Sequence, residues 1–133
     1  MKKSTEFMKV YTELGNLCEA YKTNRGTESE RSEQAVQIVC DLAKTPEIRR
    51  LPRAGQGILV LKEDEWMGYT SGVYLTGDGL IIASAHRDCE GSHGTIDATI
   101  DAVEPGRFKH LFKGEDGAER VKELKRTLDR RFQ

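Results

Sequence analysis

The chain has 133 residues, 32% of them charged and 37% apolar, with a formal net charge of −1. That length supports one hydrophobic core without disulfide or metal staples, and the near-neutral balance argues against a general nucleic-acid binder. The uninterrupted apolar run Ile58-Leu-Val-Leu61 is far short of the roughly 20 residues of a membrane helix. Cys18, Cys40 and Cys89 are widely spaced and read as reduced thiols. The opening Met-Lys-Lys-Ser-Thr-Glu lacks the apolar stretch of a secretory signal, so the expected location is the cytoplasm, with no membrane partner.

Charge is uneven along the chain. Lys and Arg stand ten to eight against Asp and Glu in residues 1–53, two to nine in 54–106 and nine to five in 107–133. Basic helices packed against an acidic sheet would partly neutralise one another; the alternative is a charged face that meets a partner.

In chain order, Phe7, Val10, Tyr11, Leu14, Leu17, Cys18 and Tyr21 recur at steps of three and four, which predicts an amphipathic helix over 4–22. Lys22-Thr-Asn-Arg-Gly26 supplies a stop, and Thr27-Glu-Ser-Glu30 has the form of a capping box. A second helix to about Lys44 carries Ala35, Ile38, Val39, Leu42 and Ala43 and is expected to form an antiparallel hairpin with the first. Glu47 to Leu51 suits a single helical turn. The period then changes. Ile58 to Leu61 reads as a strand, Glu63 to Tyr69 as an acidic loop, and Val73–Thr76 with Leu80–Ala83 as a hairpin around Gly77-Asp78-Gly79. From Thr95 to Val103, Ile96, Ala98, Ile100 and Ala102 alternate with polar residues, a strand with one wet face. Phe108, Leu111 and Phe112 would add an edge strand or anchor the crossing. Ala118, Val121, Leu124, Leu128 and Phe132 predict a last helix. The expected fold is one α+β domain over 1–133: a helical hairpin in 1–45, an antiparallel meander of four or five strands in 57–112, and a C-terminal helix over 115–133 packed on one sheet face.

Chemistry-bearing side chains concentrate in His86-Arg-Asp-Cys-Glu-Gly-Ser-His93. His86, Cys89 and His93, with Asp88 or Glu90, are the candidate ligands of a metal such as zinc, although a closed site normally brings four ligands at a known spacing. Cys89 beside His86 or His93 is also a candidate nucleophile. Asp97 and Asp101 would lie roughly 13 Å apart on a strand, too far for a cooperating carboxylate pair. No phosphate-binding glycine loop opens a helix. The order of two helices and a hairpin resembles a winged helix but lacks a recognition helix between Pro46 and Gly57.

Ser71-Gly-Val-Tyr-Leu-Thr-Gly-Asp-Gly-Leu-Ile-Ile-Ala-Ser-Ala-His86 resembles the strand-turn-strand that delivers the catalytic histidine of chymotrypsin-like serine proteases. It covers sixteen residues. Ser92 is the only serine after His86 and shares its turn, and the chain is too short for two barrels, so no triad assembles.

Trp66, Met67 and Tyr69 lie beside Glu63, Asp64 and Glu65, an aromatic anchor of the kind that dominates protein interfaces. The function expected is a protein-protein interaction or regulatory module, or a homo-oligomer, with no cofactor. An accessory or inhibitory protein of a mobile element fits the small size and missing motifs, and no residue carries that identification. The alternative is a metal-dependent or cysteine-dependent enzyme using the His86–His93 turn.

Overall fold

The computed structural model describes the backbone of residues 2–51, 58–66, 69–77, 79–87, 94–99 and 105–132, and the side chains of 2–51, Leu75, Gly77 and 109–132. Helix α1 spans Thr5–Lys22, α2 Glu28–Ala43, α3 Pro46–Arg49 and α4 Gly114–Arg131, with a 3-10 helix over Pro105–Phe112 ahead of α4. Ser4 caps α1, its Oγ accepting from the Phe7 N–H, and Thr27 caps α2 by accepting from the Glu30 N–H. The chain leaves α1 through Asn24 and Gly26, both at positive φ (55° and 73°), a conformation that short polar residues and glycine reach most readily.

Four segments pair as antiparallel strands in the order β1 (Ile58–Trp66), β2 (Tyr69–Thr76), β3 (Gly79–Arg87) and β4 (Gly94–Thr99). Glu63 to Trp66, expected in a loop, belongs to β1, because its register carries on to Trp66 opposite Tyr69. Two register shifts interrupt β1, between Leu59 and Leu61 and between Lys62 and Asp64. Of the Thr95–Val103 strand, 95–99 lie in β4, and Ile100 to Val103 fall outside the described residues.

The expected class, α+β with the C-terminal helix laid on a sheet face, is corrected. Where side chains are described, the body is 79% helical and contains no sheet. Its buried apolar residues come from the helices, joined by Leu75 of β2. Two features account for this. Helix α2 buries Ser32, Ala35, Val36, Ile38, Val39 and Leu42, a stripe wide enough to meet α1 on one side and the 3-10 helix on the other. Phe108 to Phe112, read as an edge strand or an anchor of the crossing, belongs to the 3-10 helix. A strand would send Leu111 and Phe112 to opposite faces, whereas the helical turn buries both, at 6% and 0% exposure.

The joint between the 3-10 helix and α4 is tight. The Tyr21 hydroxyl donates to the Phe112 carbonyl at 2.5 Å, and Arg120 donates to the Leu111 carbonyl at 2.6 Å. A Cβ at Gly117 would stand 2.2 Å from the Phe112 carbonyl group, so α4 can close on this turn only with glycine there. Burial pushes the Tyr21 hydroxyl up to about 12, with Arg31 opposing and Glu28 adding to the rise. The buried hydroxyls are satisfied within their own turns: Ser32 donates to the Ser29 carbonyl and Thr45 to the Leu42 carbonyl.

Among the residues whose side chains are described, Leu75 and Gly77 tie β2 to the helical body. Leu75 is fully buried in the helical core. At Gly77 a Cβ would lie 2.1 Å from the Leu51 carbonyl oxygen and 3.2 Å from that of Arg49, a backbone approach that no other residue permits. Leu75→Ala is therefore expected to cost about 2–5 kcal/mol, and Gly77→Ala to destabilise as well, by forcing backbone apart. Urea unfolding of both variants checks this; a Leu75→Ala protein as stable as the parent would show that the hairpin is not anchored there.

Candidate functional site

The first and last helices meet along a seam that ends in a cavity of about 280 Å³. Its apolar walls are Phe7 and Met8 of α1 with Leu128 and Phe132 from the end of α4; Lys3, Tyr11 and Asp129 complete the lining. These residues converge because each helix turns a three-and-four spaced stripe to the other. Phe7 packs edge-on against Phe132, with ring centroids 5.2 Å apart at 60°, and stacks on Tyr11 at 6.2 Å and 16°. Met8 is the exception to burial. It is 43% exposed, the large apolar side chain that the described surface leaves to solvent.

The polar side of the cavity is organised on Asp129. Its carboxylate accepts a hydrogen bond from the Tyr11 hydroxyl and an ion pair from Lys125 at 3.4 Å. Lys125 also lies over the Tyr11 ring, 5.2 Å from its centroid. The Tyr11 hydrogen bond holds the Asp129 carboxyl below its usual range; burial opposes this, and Lys125 and Lys3 reinforce it.

Lys3 is set at the cavity lip by a clasp one residue further on. The Ser4 backbone N–H donates to Glu47 at 2.6 Å and the Ser4 hydroxyl donates to the other carboxylate oxygen at 2.7 Å. Ser4 thereby caps α1 and ties it to α3. Burial would raise the Glu47 carboxyl, but the two Ser4 hydrogen bonds outweigh it and, with the backbone and Arg50, hold it below 4.5.

A second cavity, about 240 Å³, lies between the α1–α2 connection and the start of α4, with Tyr21, Arg31 and Glu115 among its walls. Its cation is committed to structure. Arg31 Nη1 donates to the Arg25 and Gly26 carbonyls at 3.0 and 2.8 Å, and the guanidinium sits 5.6 Å from the Tyr21 ring centroid, leaving Nε without a hydrogen-bond partner.

Of the residues singled out in the sequence, Trp66 and Tyr69 are register partners at the end of the β1–β2 pair, and Met67 lies outside the described residues. His86 stands in β3, opposite Tyr69 on one side and Thr95 on the other. Cys89 and His93, with Asp88 and Glu90, lie outside the described residues. Among the described residues no group of three or more His, Cys, Asp or Glu side chains could hold a metal, and no helix is long and apolar enough to cross a membrane. The thiols of Cys18 and Cys40 are raised chiefly by burial. No protein-family model, no curated protein and no solved structure matches the chain.

Tyr11→Phe keeps the cavity wall and removes one donor to Asp129. The Asp129 carboxyl is expected to rise toward the ordinary 3.8, read by NMR titration, at a stability cost of about 1 kcal/mol because the hydrogen bond is only part-buried. An unmoved Asp129 titration would show that Lys125 and Lys3 alone hold it.

Glu47→Gln tests the clasp. A carboxyl whose folded value is depressed contributes stability above its unfolded value and loses it as pH falls through the folded one. The variant is expected to be about 1–2 kcal/mol less stable than the parent near pH 7, with the gap closing as pH drops below 4.5. Urea unfolding across that range checks it; a gap independent of pH would remove the charge from the explanation.

Proposed function

We propose that this chain is a small protein-binding module that works through its α1–α4 face. One observation supports the reading: the cavity walled by Phe7, Leu128 and Phe132 opens to solvent beside the exposed Met8. Met8 puts a flexible thioether beside a recess with apolar walls, and thioether-lined recesses suit partner side chains of varied shape. The aromatic segment Trp66–Tyr69 is a second candidate contact, grounded in sequence alone.

The test is site-specific photocrosslinking in native extract, with a benzophenone side chain in place of Met8 or, as control, of the exposed Gln34 on α2. A discrete adduct from position 8 that excess unlabelled chain suppresses, and that position 34 does not form, is the expected result. Equal labelling from both positions, or none from position 8, would reject the face.

A further inference from the structure

We infer that the end of the helical body where α1 begins and α4 finishes is a docking surface for an anionic lipid membrane. The inference stands apart from the cavity and from the binding-module reading.

Three features of the chain path define this end. The Ser4 N–H and hydroxyl donate to the Glu47 carboxylate at 2.6 and 2.7 Å, which sets Lys2 and Lys3 at the same end as Arg49 and Arg50 of α3. Lys44 closes α2 one residue before Thr45, the cap of α3. Phe132 packs on Phe7 at 5.2 Å and so brings Arg131, the last residue of α4, to the start of α1.

Charge divides the two ends of the body. Residues 2–6, 41–51 and 129–132 hold seven Lys and Arg against four Asp and Glu. At the other end, where the α1–α2 connection meets the start of α4, residues 19–31 and 113–116 hold four against five. Three of the four acids at the basic end are engaged: Glu47 by Ser4, Asp129 by Tyr11 and Lys125, and Asp41 by Gln37. Lys2, Lys44, Arg49, Arg50 and Arg131 are exposed and Lys3 is half-buried. The ion pairs formed among the described residues use none of these six.

Helix stability accounts for only part of this cluster. A cation at a helix C-terminus is favoured by the dipole, which covers Lys44, Arg131 and, weakly, the pair at the end of the one-turn α3. Lys2 and Lys3 stand before the first turn of α1, where the same field disfavours them.

Shape selects the partner. The six cations come from three helix ends, and packed helices stand about 8–10 Å apart, so the charge is spread over roughly 20 Å instead of lining one groove. A planar anionic surface meets all of them together, and basic clusters of this size read as sites for phosphatidylserine-type headgroups. A single-stranded nucleic acid gains from exposed rings on which bases stack, whereas Phe7 at this end is buried and Phe132 half-buried against it. An acidic peptide would cover only part of the spread. The excess of acid at the opposite end orients the body with its basic end toward such a surface. The contact is peripheral, since no described helix is long and apolar enough to cross a membrane.

The experiment is sedimentation of the full chain with vesicles of phosphatidylcholine, alone or with about 30% phosphatidylserine, at about 50 and about 300 mM salt. The phosphatidylserine vesicles are expected to bind at least about tenfold more tightly, and that affinity to fall about tenfold or more at the higher salt. The double variants Lys2→Glu/Lys3→Glu and Arg49→Glu/Arg50→Glu should each weaken it about fivefold or more. Lys22→Glu/Arg25→Glu, at the opposite end, should leave it unchanged. Circular dichroism verifies that each variant is folded, and if one basic-end pair is not, the other decides. No binding, equal binding to both vesicles, or an equal loss from the Lys22/Arg25 pair would overturn the inference. So would a DNA duplex of about 20 base pairs, or polyglutamate, binding as tightly as the vesicles, which would make this end a nucleic-acid or acidic-protein site. A position-8 crosslink without vesicle binding would leave the module reading standing and remove this one.

Discussion

The packing of Phe7 against Phe132 is the contact on which the candidate site depends. It joins the first turn of α1 to the residue just past the end of α4, and so brings together parts of the chain that are farthest apart in sequence. Without it Leu128 and Phe7 would still belong to the core, but Met8, Lys3 and Asp129 would have no common recess. The Tyr11–Asp129 hydrogen bond runs alongside and fixes the rotation of the two helices. An apolar contact and a charge-assisted hydrogen bond one turn apart specify one alignment of the helices, where a uniform apolar stripe would allow several.

The helices were legible because their signal is periodic. Phe7, Val10, Leu14 and Leu17 in α1, and Val121, Leu124 and Leu128 in α4, are buried where three-and-four spacing puts them. The cap at Thr27 was legible too, as a hydroxyl three residues ahead of an acid. The 3-10 helix was not, since Pro105-Gly106 followed by scattered aromatics fits an edge strand equally well until Leu111 and Phe112 are both found inside. The class went astray for a related reason: the width of the α2 stripe shows only once Val36 and Ser32 are seen buried beside the expected Ala35 and Val39.

The polar ties were illegible on different grounds. Ser4 to Glu47, Tyr11 to Asp129 and Tyr21 to the Phe112 carbonyl each span dozens of residues. Nothing in local spacing announces that a hydroxyl has a distant partner. Sequence reading could therefore turn only to residues close in the chain, the Trp66–Tyr69 aromatics for a contact and the His86–His93 ligands as the alternative, where proximity in the chain stands in for proximity in space. The α1–α4 cavity is made of ordinary helix residues, and its one local clue was Met8, an apolar side chain off the buried stripe.

The balance of forces at this cavity assigns different work to its apolar and charged parts. An apolar side chain buried in this recess would gain roughly 1.5–3 kcal/mol, whereas an exposed lysine contributes about 0–1 kcal/mol, so the apolar walls outweigh the charges in any contact made here. Lysines screened over about 8 Å at physiological salt act mainly on approach and on which partners are turned away. Asp129 sharpens that division. It accepts from Tyr11 and pairs with Lys125, so Lys3 is the one cation of the cavity lining that makes no ion pair among the described residues. The same carboxylate that aligns the two helices thus also neutralises the lysine beside it.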